Sequence, residues 1–323
     1  MKLMVTGGAG YVGSVVAAHL VAADHDVVVL DDLSTGHRDA VPEAAAFVRA
    51  RVQDAHAHLD ASFDAVLHFA ASSQVGESVT HPEKYWHNNL GGSLALLDAM
   101  RAHDVTRLVF SSTAAVYGAP ERSPVTEDAP CAPTNPYGAS KLAVDHLIAS
   151  YCAAHGLRAV SLRYFNVAGA YGRHGERHTT ETHLIPVALE VPHGTRGSVA
   201  LYGTDYPTPD GTCVRDYIHV ADLADAHLLA LAATGAGGAA TGHLVCNLGN
   251  GTGFSVRDVV DAVRTVTGCA VPAHEAPRRA GDPPVLVASA ARAREVLGWR
   301  PTRTSLEDIV ADAWSFLRHG DAR

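Results

Sequence analysis

Short apolar runs alternate with longer segments of helical spacing through the first half of the chain. The runs that suit buried strands span residues 3–6, 27–30, 65–69, 108–111 and 159–164, and the helical segments between them span residues 11–23, 88–103 and 136–155. Strands that are apolar on both faces occur where helices cover both sides of a parallel sheet. The pattern therefore predicts the α/β class, with a doubly wound, Rossmann-like parallel sheet.

The second half of the chain has a different composition. Gly, Pro and His become more frequent through residues 169–213, and two further helices are indicated at 220–232 and 256–267. Ser255 is a suitable N-cap for the second of these helices. We therefore predict two domains, residues 1–167 and a smaller C-terminal α/β domain of residues 168–323, with some chain crossing back between them.

The composition fits a folded chain with an aliphatic core. Of the 323 residues 47% are hydrophobic and 18% are charged, and every apolar run is too short or too interrupted to span a bilayer. The 25 basic and 34 acidic residues give a net charge of −9, which offers no broad positive field for nucleic acid or anionic lipid. We expect no nucleic-acid partner and no membrane partner, so any anion has to bind at a local site.

Cysteine and histidine usage indicates a reduced protein without a metal. The five cysteines show no CxxC spacing and their number is odd, so we expect neither disulfides nor structural zinc. The 20 histidines are scattered and include no HExxH or comparable pattern, so we expect no metal site. Met1 and Lys2 lead directly into a strand and a glycine-rich turn, which leaves no room for a signal-peptide core. These observations predict a cytoplasmic protein.

The glycine-rich turn follows the first predicted strand. Gly7, Gly10 and Gly13 have GxxGxxG spacing, and the next helix is predicted to begin at Tyr11 and Val12. Glycine lets the backbone approach a pyrophosphate, whose charge then lies at the helix N-terminus. The same spacing also fits a turn that only brings helix and sheet close together. The strand before it and the helix after it favour dinucleotide binding.

Two acidic residues end the second predicted strand. Asp31 lies about 20 residues beyond the turn, where a carboxylate can bind the adenosine ribose hydroxyls. Its charge favours NAD over NADP. Asp32 would further repel a 2′-phosphate, or it is a solvated turn residue.

Three side chains suited to proton transfer follow in the middle of the chain. Thr113 lies at the carboxyl end of the strand predicted at 108–111, where ligands of parallel sheets bind. Asn135 can cap a helix that has Pro136 in its first turn, and i, i+4 spacing then places Tyr137 and Lys141 on one face. A nearby ammonium, the positive helix end and an oxidised nicotinamide would favour the phenolate, so that Tyr137 can act as a general base. An ordinary surface pair is the alternative at this spacing.

These segments resemble the extended short-chain dehydrogenase/reductase superfamily and, within it, the UDP-glucose 4-epimerases. The resemblance runs nearly from end to end, and residues 210–220, DGTCVRDYIHV, are its most discriminating part. It implies tightly bound NAD and reversible C4 epimerisation of UDP-glucose and UDP-galactose through a 4-keto intermediate. It also implies a homodimer that pairs through the helices predicted at 88–103 and 136–155.

The resemblance implies a role for each matching residue. Tyr137 matches the catalytic base, Lys141 matches its electrostatic partner and nicotinamide-ribose ligand, and Thr113 matches the hydroxyl that hydrogen-bonds the sugar O4. The residues that match positions around the cofactor are Val52, Phe69, Ala70 and Asn88. The residues that match groups holding the UDP half are Asn166, Tyr202 beside the uracil, Arg215, Arg279 and Asp282. Arginine suits a diphosphate because its planar guanidinium binds two oxygens at once. The alternative for Arg279 is an ordinary charged residue on the surface.

The sequence departs from the family pattern at the adenine site. Where the family commonly has an Asp that contacts adenine, this chain has Arg51. The arginine either lies against the adenine or points to solvent while the backbone near Val52 makes the contacts. Thr113 replaces the commoner Ser and keeps the hydroxyl.

Leu286 aligns with the position whose bulk limits the space beside the sugar C2 substituent. Leucine there predicts a preference for the non-acetylated pair of sugars, and an ordinary core residue is the alternative.

Other functions remain as alternatives from sequence. One is a related NAD-dependent epimerase of UDP-N-acetylhexosamines or UDP-pentoses. A 4,6-dehydratase or decarboxylase needs a further acid and base, but Ala114 and Ala115 follow Thr113 where dehydratases carry an Asp-Glu pair. A non-catalytic dinucleotide-binding regulator would have no reason to keep Thr113, Tyr137 and Lys141 together.

Overall fold

The computed structural model describes residues 1–279 and 281–320, so residue 280 and the end of the predicted second domain at 321–323 lie outside the described residues. The strands, numbered along the chain, are β1 (Lys2–Thr6), β2 (Asp26–Asp31), β3 (Ala46–Arg49), β4 (Ala65–His68), β5 (Arg107–Thr113), β6 (Arg158–Tyr164), β7 (Asn166–Ala168), β8 (Val199–Tyr202), β9 (Val214–His219), β10 (His243–Leu248), β11 (Gly253–Ser255), β12 (Ala273–Ala276) and β13 (Val285–Leu286). The α-helices are α1 (Tyr11–Ala22), α2 (Val75–Thr80), α3 (Pro82–Tyr85), α4 (Gly92–Ala102), α5 (Pro136–His155), α6 (Leu184–His193), α7 (Val220–Ala233), α8 (Val256–Thr267) and α9 (Leu306–Gly320). Short 3-10 turns span Arg38–Ala40, Val52–Ala57 and Ala114–Tyr117, and π-helical turns span Trp86–Gly91 and Ala293–Leu297.

A parallel sheet lies at the centre of the fold. Within the described residues it has seven strands in the order β10-β6-β5-β4-β1-β2-β3. Leu3 of β1 pairs with Val27 on one side and with Ala65 on the other, so the first strand is central. The order reverses beside β1, which places a crevice at the carboxyl ends of the strands. The doubly wound α/β sheet predicted from the apolar runs is confirmed.

Helices cover both faces of this sheet, and β1 shows why its sequence is continuously apolar. Leu3 and Val5 belong to a core cluster with residues of α1 and α7. Met4 points to the other side and belongs to a cluster with residues of α4 and α5. Because successive side chains of a strand alternate between faces, both sets of positions must be apolar.

The chain segments beyond residue 167 do not form a separate continuous unit. Strand β10 pairs with β6 in the large sheet, and α7 packs against α1. Residues of α6, α8 and α9 instead share a core cluster beside the smaller sheets, in which β9 pairs with β7, β11 and β13, and β8 pairs with β12. The Ser255 side chain caps α8 as predicted, in a reciprocal capping box with Asp258.

No helix among residues 1–279 and 281–320 combines the length and the apolar character needed to cross a membrane.

Candidate active site

A cleft of about 540 Å³ opens at the carboxyl ends of the central strands. Most residues that sequence analysis singled out line it together. They are Gly7, Gly10, Tyr11, Val12, Gly13, Asp31, Asp32, Val52, Phe69, Ala70, Asn88, Thr113, Tyr137, Lys141, Asn166, Arg215, Asp282 and Leu286.

Tyr202 and Arg279 are the predicted substrate residues that the structure does not bring into this lining. They contact each other instead, with the Arg279 guanidinium 4.1 Å from the centre of the Tyr202 ring. Tyr202 is 41% exposed, so part of its surface remains accessible to a ligand. The pair forms a planar, accessible platform at the end of β8, which is the kind of surface on which a base can stack.

The glycine-rich turn has the geometry of a close backbone approach. Gly7 has φ of 73°, and a Cβ there would lie 2.4 Å from the backbone nitrogen of Ala70. A Cβ on Gly13 would lie 2.2 Å from the carbonyl oxygen of Gly7. Helix α1 begins at Tyr11 without a side-chain cap, so its first N–H groups are available to an anion. The turn fits a dinucleotide phosphate on these grounds.

Asp31 is held rigidly beside this turn. Its Oδ2 accepts a hydrogen bond from the N–H of Ala9 at 3.0 Å, and its Oδ1 accepts one from the N–H of Leu33 at 2.8 Å. Burial raises the pKa of Asp31, and the two backbone donors oppose that shift. Asp32 lines the cleft and also caps the turn, because its Oδ1 accepts from the N–H of Ser34 at 2.9 Å.

Arg51 is exposed and lies outside the residues that line the cleft, whereas Val52 is 4% exposed and lines it. The geometry favours the alternative in which the backbone near Val52 meets the adenine.

Thr113 and Tyr137, the two hydroxyl groups expected to react, both line the cleft. The Thr113 hydroxyl accepts from the N–H of Ala115 at 3.1 Å, and the Thr113 side chain acts to lower the pKa of the Tyr137 phenol. Tyr137 is placed at the start of α5, which Asn135 caps by accepting from the N–H of Gly138 at 2.9 Å. The helix therefore begins as predicted, with Pro136 in its first turn.

The sequence-based expectation of a phenolate concerns the enzyme with NAD bound, and the protein alone shows a different balance. Burial raises the pKa of Tyr137 in the protein alone, and the hydrogen bond from Thr113 only partly opposes it. Lys141 is not among the groups that shift this pKa; its Nζ donates to the carbonyl oxygen of Ser111 at 2.7 Å and lies 4.8 Å from the Phe110 ring centre. Burial lowers the pKa of Lys141 itself to about 7, against the charge of Asp145. Two influences in that expectation remain: the positive end of α5, at which Tyr137 lies, and a positive nicotinamide, which belongs to the bound cofactor.

Sequence analysis missed the charged groups that lie near Lys141, of which Asp145 acts on its pKa. Asp145 lies one turn further along α5 and accepts from Arg163 of β6 through Nε at 3.1 Å and Nη2 at 2.9 Å. Ser112 also donates to the same carboxylate oxygen at 3.2 Å. The i, i+4 spacing from Lys141 to Asp145 was the available signal, but nothing in the sequence pairs Asp145 with Arg163.

The opposite wall of the cleft carries the groups expected to meet the substrate. The Arg215 Nη1 donates to the carbonyl oxygens of Val214 and Pro283, each at 2.9 Å, and its Nη2 lies 3.4 Å from Asp282. The Asn166 amide donates to the carbonyl of Asp216 at 3.0 Å. Glu176, Arg177, His178 and His183 also line the cleft, and sequence analysis had not singled out any of them.

The arrangement is therefore a dinucleotide cradle that opens onto a hydroxyl, a phenol and a buried amine. A sugar hydroxyl beside Tyr137 could lose its proton there while the carbon that bears it is oxidised.

Comparison with known proteins agrees with this chemistry. Residues 3–249 match the NAD dependent epimerase/dehydratase family. The chain is 61% identical over 322 residues to UDP-glucose 4-epimerase of Streptomyces lividans, which covers 98% of this chain and 95% of the relative. The structure of UDP-glucose 4-epimerase from Brucella ovis in complex with NAD superposes with a TM-score of 0.93 at 46% identity and 97% coverage of both chains. That of the Bifidobacterium longum enzyme in complex with NAD⁺ and UDP superposes with a TM-score of 0.91 at 34% identity and 99% coverage of both. The chain belongs to the NAD dependent epimerase/dehydratase family and, within it, to the UDP-glucose 4-epimerases.

Proposed function

We propose that the protein interconverts UDP-glucose and UDP-galactose by reversible inversion at C4, with NAD held in the cleft throughout. The observation that carries this proposal is that one cleft joins the glycine turn and Asp31 to Thr113, Tyr137 and Lys141. When bound, NAD supplies a hydride acceptor that later returns the hydride. Because no net oxidation results, the cofactor need not leave.

Tyr137 is the base that removes the O4 proton. Thr113 lines the same cleft, and its hydroxyl is suited to hydrogen-bond both the phenol and the sugar O4. A phenol whose pKa is raised by burial needs a positive neighbour to act near neutral pH. The nicotinamide supplies such a charge when NAD is bound, and Lys141 adds one in the fraction of molecules in which it is protonated.

Inversion requires the 4-keto sugar to turn over while the nucleotide stays bound. Arg215 and Arg279 are suited to the diphosphate, and Tyr202, under Arg279, to the uracil. Binding energy from this half can hold the substrate while the pyranose swings about the phosphate linkage and presents its other face.

The residues after Thr113 argue against dehydration. Ala114 and Ala115 begin the 3-10 turn that leaves β5, at the position where an additional acid and base would be needed. Neither alanine side chain can transfer a proton, so this position supplies no acid or base for elimination of water from the 4-keto sugar.

We also propose a homodimer that pairs through α4 and α5. These two helices lie side by side, joined by a hydrogen bond from the Tyr151 phenol to Asp98 at 2.7 Å. Leu94 of α4 is 42% exposed, so its side chain is available for contact with a second copy. Light scattering should give twice the chain mass, and Leu94→Lys should lower it; a monomeric wild type would refute the dimer.

A cytoplasmic setting is a further expectation, which the unpaired state of all five cysteines favours.

The decisive experiment incubates the purified protein with UDP-galactose and separates the sugar nucleotides. A new UDP-hexose supports the proposal, while a dehydrated product or no change contradicts it.

Tyr137→Phe should lower turnover about 100-fold or more but keep NAD bound, because the ring still packs and only the proton acceptor is lost. Tyr171→Phe is the matched control, since this tyrosine is 38% exposed and lies outside the cleft lining. Near wild-type turnover in Tyr137→Phe would refute its assignment.

A further inference from the structure

Four potential metal ligands converge in the segment between β7 and α6. One donor atom each from Glu176, His178, Glu181 and His183 lies within 4.8 Å of all the others. The Nδ1 of His178 is 3.2 Å from Glu176 Oε1 and 3.5 Å from Glu181 Oε2. The Nδ1 of His183 is 2.7 Å from Glu176 Oε1 and 3.1 Å from Glu181 Oε1.

These separations suit a small four-coordinate ion. Nitrogen and oxygen ligands bind zinc at about 2.0–2.2 Å, so the ligands of a tetrahedral site lie roughly 3.4 Å from one another. The four nitrogen-to-oxygen distances here, from 2.7 to 3.5 Å, approach that spacing. Two imidazoles with two carboxylates also form a donor set that zinc and other divalent first-row transition metals accept.

The carboxylates are oriented before any ion binds. Glu181 Oε1 accepts from the backbone N–H groups of Thr182 and His183, each at 2.7 Å. The Glu176 and Glu181 side chains are 7% and 10% exposed, so each carboxylate needs a positive partner. Hydrogen bonds from the protonated imidazoles supply it in the protein alone, and an ion of charge +2 with neutral imidazoles would leave the same net charge.

The cluster forms a wall of the cleft. Glu176, His178 and His183 line the cleft itself, while Glu176, His178 and Glu181 also line a second cavity of about 700 Å³ behind it. The segment already reaches the cofactor side, because Arg177 pairs with Asp39 through two contacts at 2.8 and 2.9 Å.

We propose that Glu176, His178, Glu181 and His183 bind one divalent transition-metal ion of the zinc class, which fastens the segment between β7 and α6 across the cofactor side of the cleft. The ion is structural, because the reaction assigned to Thr113 and Tyr137 has no step that calls for a metal. The site departs from the expectation of no metal, which rested on known ligand motifs. The spacing Glu-x-His-x2-Glu-x-His on a loop is not one of them.

Cobalt and zinc are suitable probes of this site. Untagged, chelator-treated protein with its NAD retained is titrated with Co²⁺, whose visible absorption is strong when four-coordinate and weak when six-coordinate. We expect saturation at one equivalent with the strong spectrum, displacement by Zn²⁺, and no competition from Mg²⁺, which prefers six oxygen ligands. Zn²⁺ should also raise the unfolding temperature, because it binds the folded chain.

Glu181→Gln is the most informative variant, since its amide oxygen can still accept from Thr182 and His183. It should weaken Co²⁺ binding about 100-fold or more, since loss of a ligand should cost at least as much as loss of an outer-shell partner. His178→Gln is the second variant, and NAD content shows whether each variant is folded. His58→Gln is the control for adventitious binding, because His58 is exposed and lies outside the cluster.

The proposal is overturned if the wild type gives no stoichiometric four-coordinate spectrum. It is equally overturned if Glu181→Gln and His178→Gln, folded by the NAD criterion, bind Co²⁺ as tightly as His58→Gln. Either result leaves the epimerase assignment untouched, since that assignment is read from sugar nucleotides.

Discussion

The buried ion pair between Asp145 and Arg163 connects stability to the active site, and Asp145→Asn tests both. The two side chains are 4% and 7% exposed, and both Arg163 contacts go to the same carboxylate oxygen, Oδ2. Arg163 also donates to the Tyr117 phenol at 3.0 Å. Asparagine keeps the shape of the side chain but removes its charge, which leaves the guanidinium buried without a counter-ion.

The expected loss of stability is large. Removing one partner of a buried pair costs about 3–5 kcal/mol, because the remaining charge is desolvated without compensation. The matched control is Asp261→Asn on α8, where Asp261 lies 2.7 Å from Arg264 but the side chains are 68% and 45% exposed. Water solvates both groups of that pair, so its loss should cost less than about 0.5 kcal/mol.

Urea titrations of the NAD-saturated variants measure the two free energies of unfolding. Equal and small losses in Asp145→Asn and Asp261→Asn would refute the reasoning. A double-mutant cycle adds a second criterion. If the pair is the cause, adding Arg163→Met to Asp145→Asn should cost much less than Arg163→Met alone. The carboxylate that Arg163→Met would leave unpaired is already absent from Asp145→Asn.

The same substitution should move the pH profile of the reaction. Lys141 has a pKa lowered to about 7 by burial, and the charge of Asp145 opposes that shift. Without this charge the pKa falls further, and the protonated fraction of Lys141 at neutral pH decreases. If the reaction needs the ammonium, the limb on which activity is lost with rising pH should move to lower pH in Asp145→Asn. A merely structural role would leave the profile in place.

Three further predictions concern the cleft. Gly13→Ala should abolish retention of NAD, since its Cβ would lie 2.2 Å from the Gly7 carbonyl oxygen; retention at wild-type stoichiometry on gel filtration would contradict this. Mass analysis of the cofactor released on denaturation should find NAD, because the buried Asp31 repels a 2′-phosphate, and recovery of mainly NADP would overturn that role. The wild type should prefer non-acetylated UDP-hexoses, with Leu286→Ser raising activity on UDP-N-acetylglucosamine within the 10–200-fold range typical of hydrophobic size discrimination. An unchanged ratio of the two activities would show that Leu286 is not the gate.

The first half of the fold was predictable because its signals are local. The apolar runs of β1 and β4 pack against helices on both faces, and α5 begins and ends where the spacing and its cap indicated. The predicted strand at 27–30 differs by one residue at each end from β2. Each of these elements has its own apolar pattern, and α5 also has its own side-chain cap.

The second half was less predictable because its strands are short and pair over long distances. The two-residue strand β13 exists only through pairing of Leu286 with Arg215 on β9. The return of β10 to the large sheet places Cys246 opposite Leu162, a contact for which the sequence carries no local signal. Such strands are defined by their partners rather than by their own periodicity.

The residues of the site also fall into those that a local sequence pattern identifies and those that only the fold brings together. Residues grouped by a local motif, such as Gly7 to Gly13 or Tyr137 and Lys141, could be recognised because one turn or one helix face holds them together. Asp145 and Arg163 come from different elements, and so do Tyr202 and Arg279, so only the folded chain shows that they touch. The electrostatic outcome is likewise a property of the fold, because burial, which spacing cannot report, sets the direction of the pKa shift of both Tyr137 and Lys141. A motif therefore identifies which groups can react, whereas burial and the charge of Asp145 set the pKa directions of Tyr137 and Lys141 before the cofactor binds.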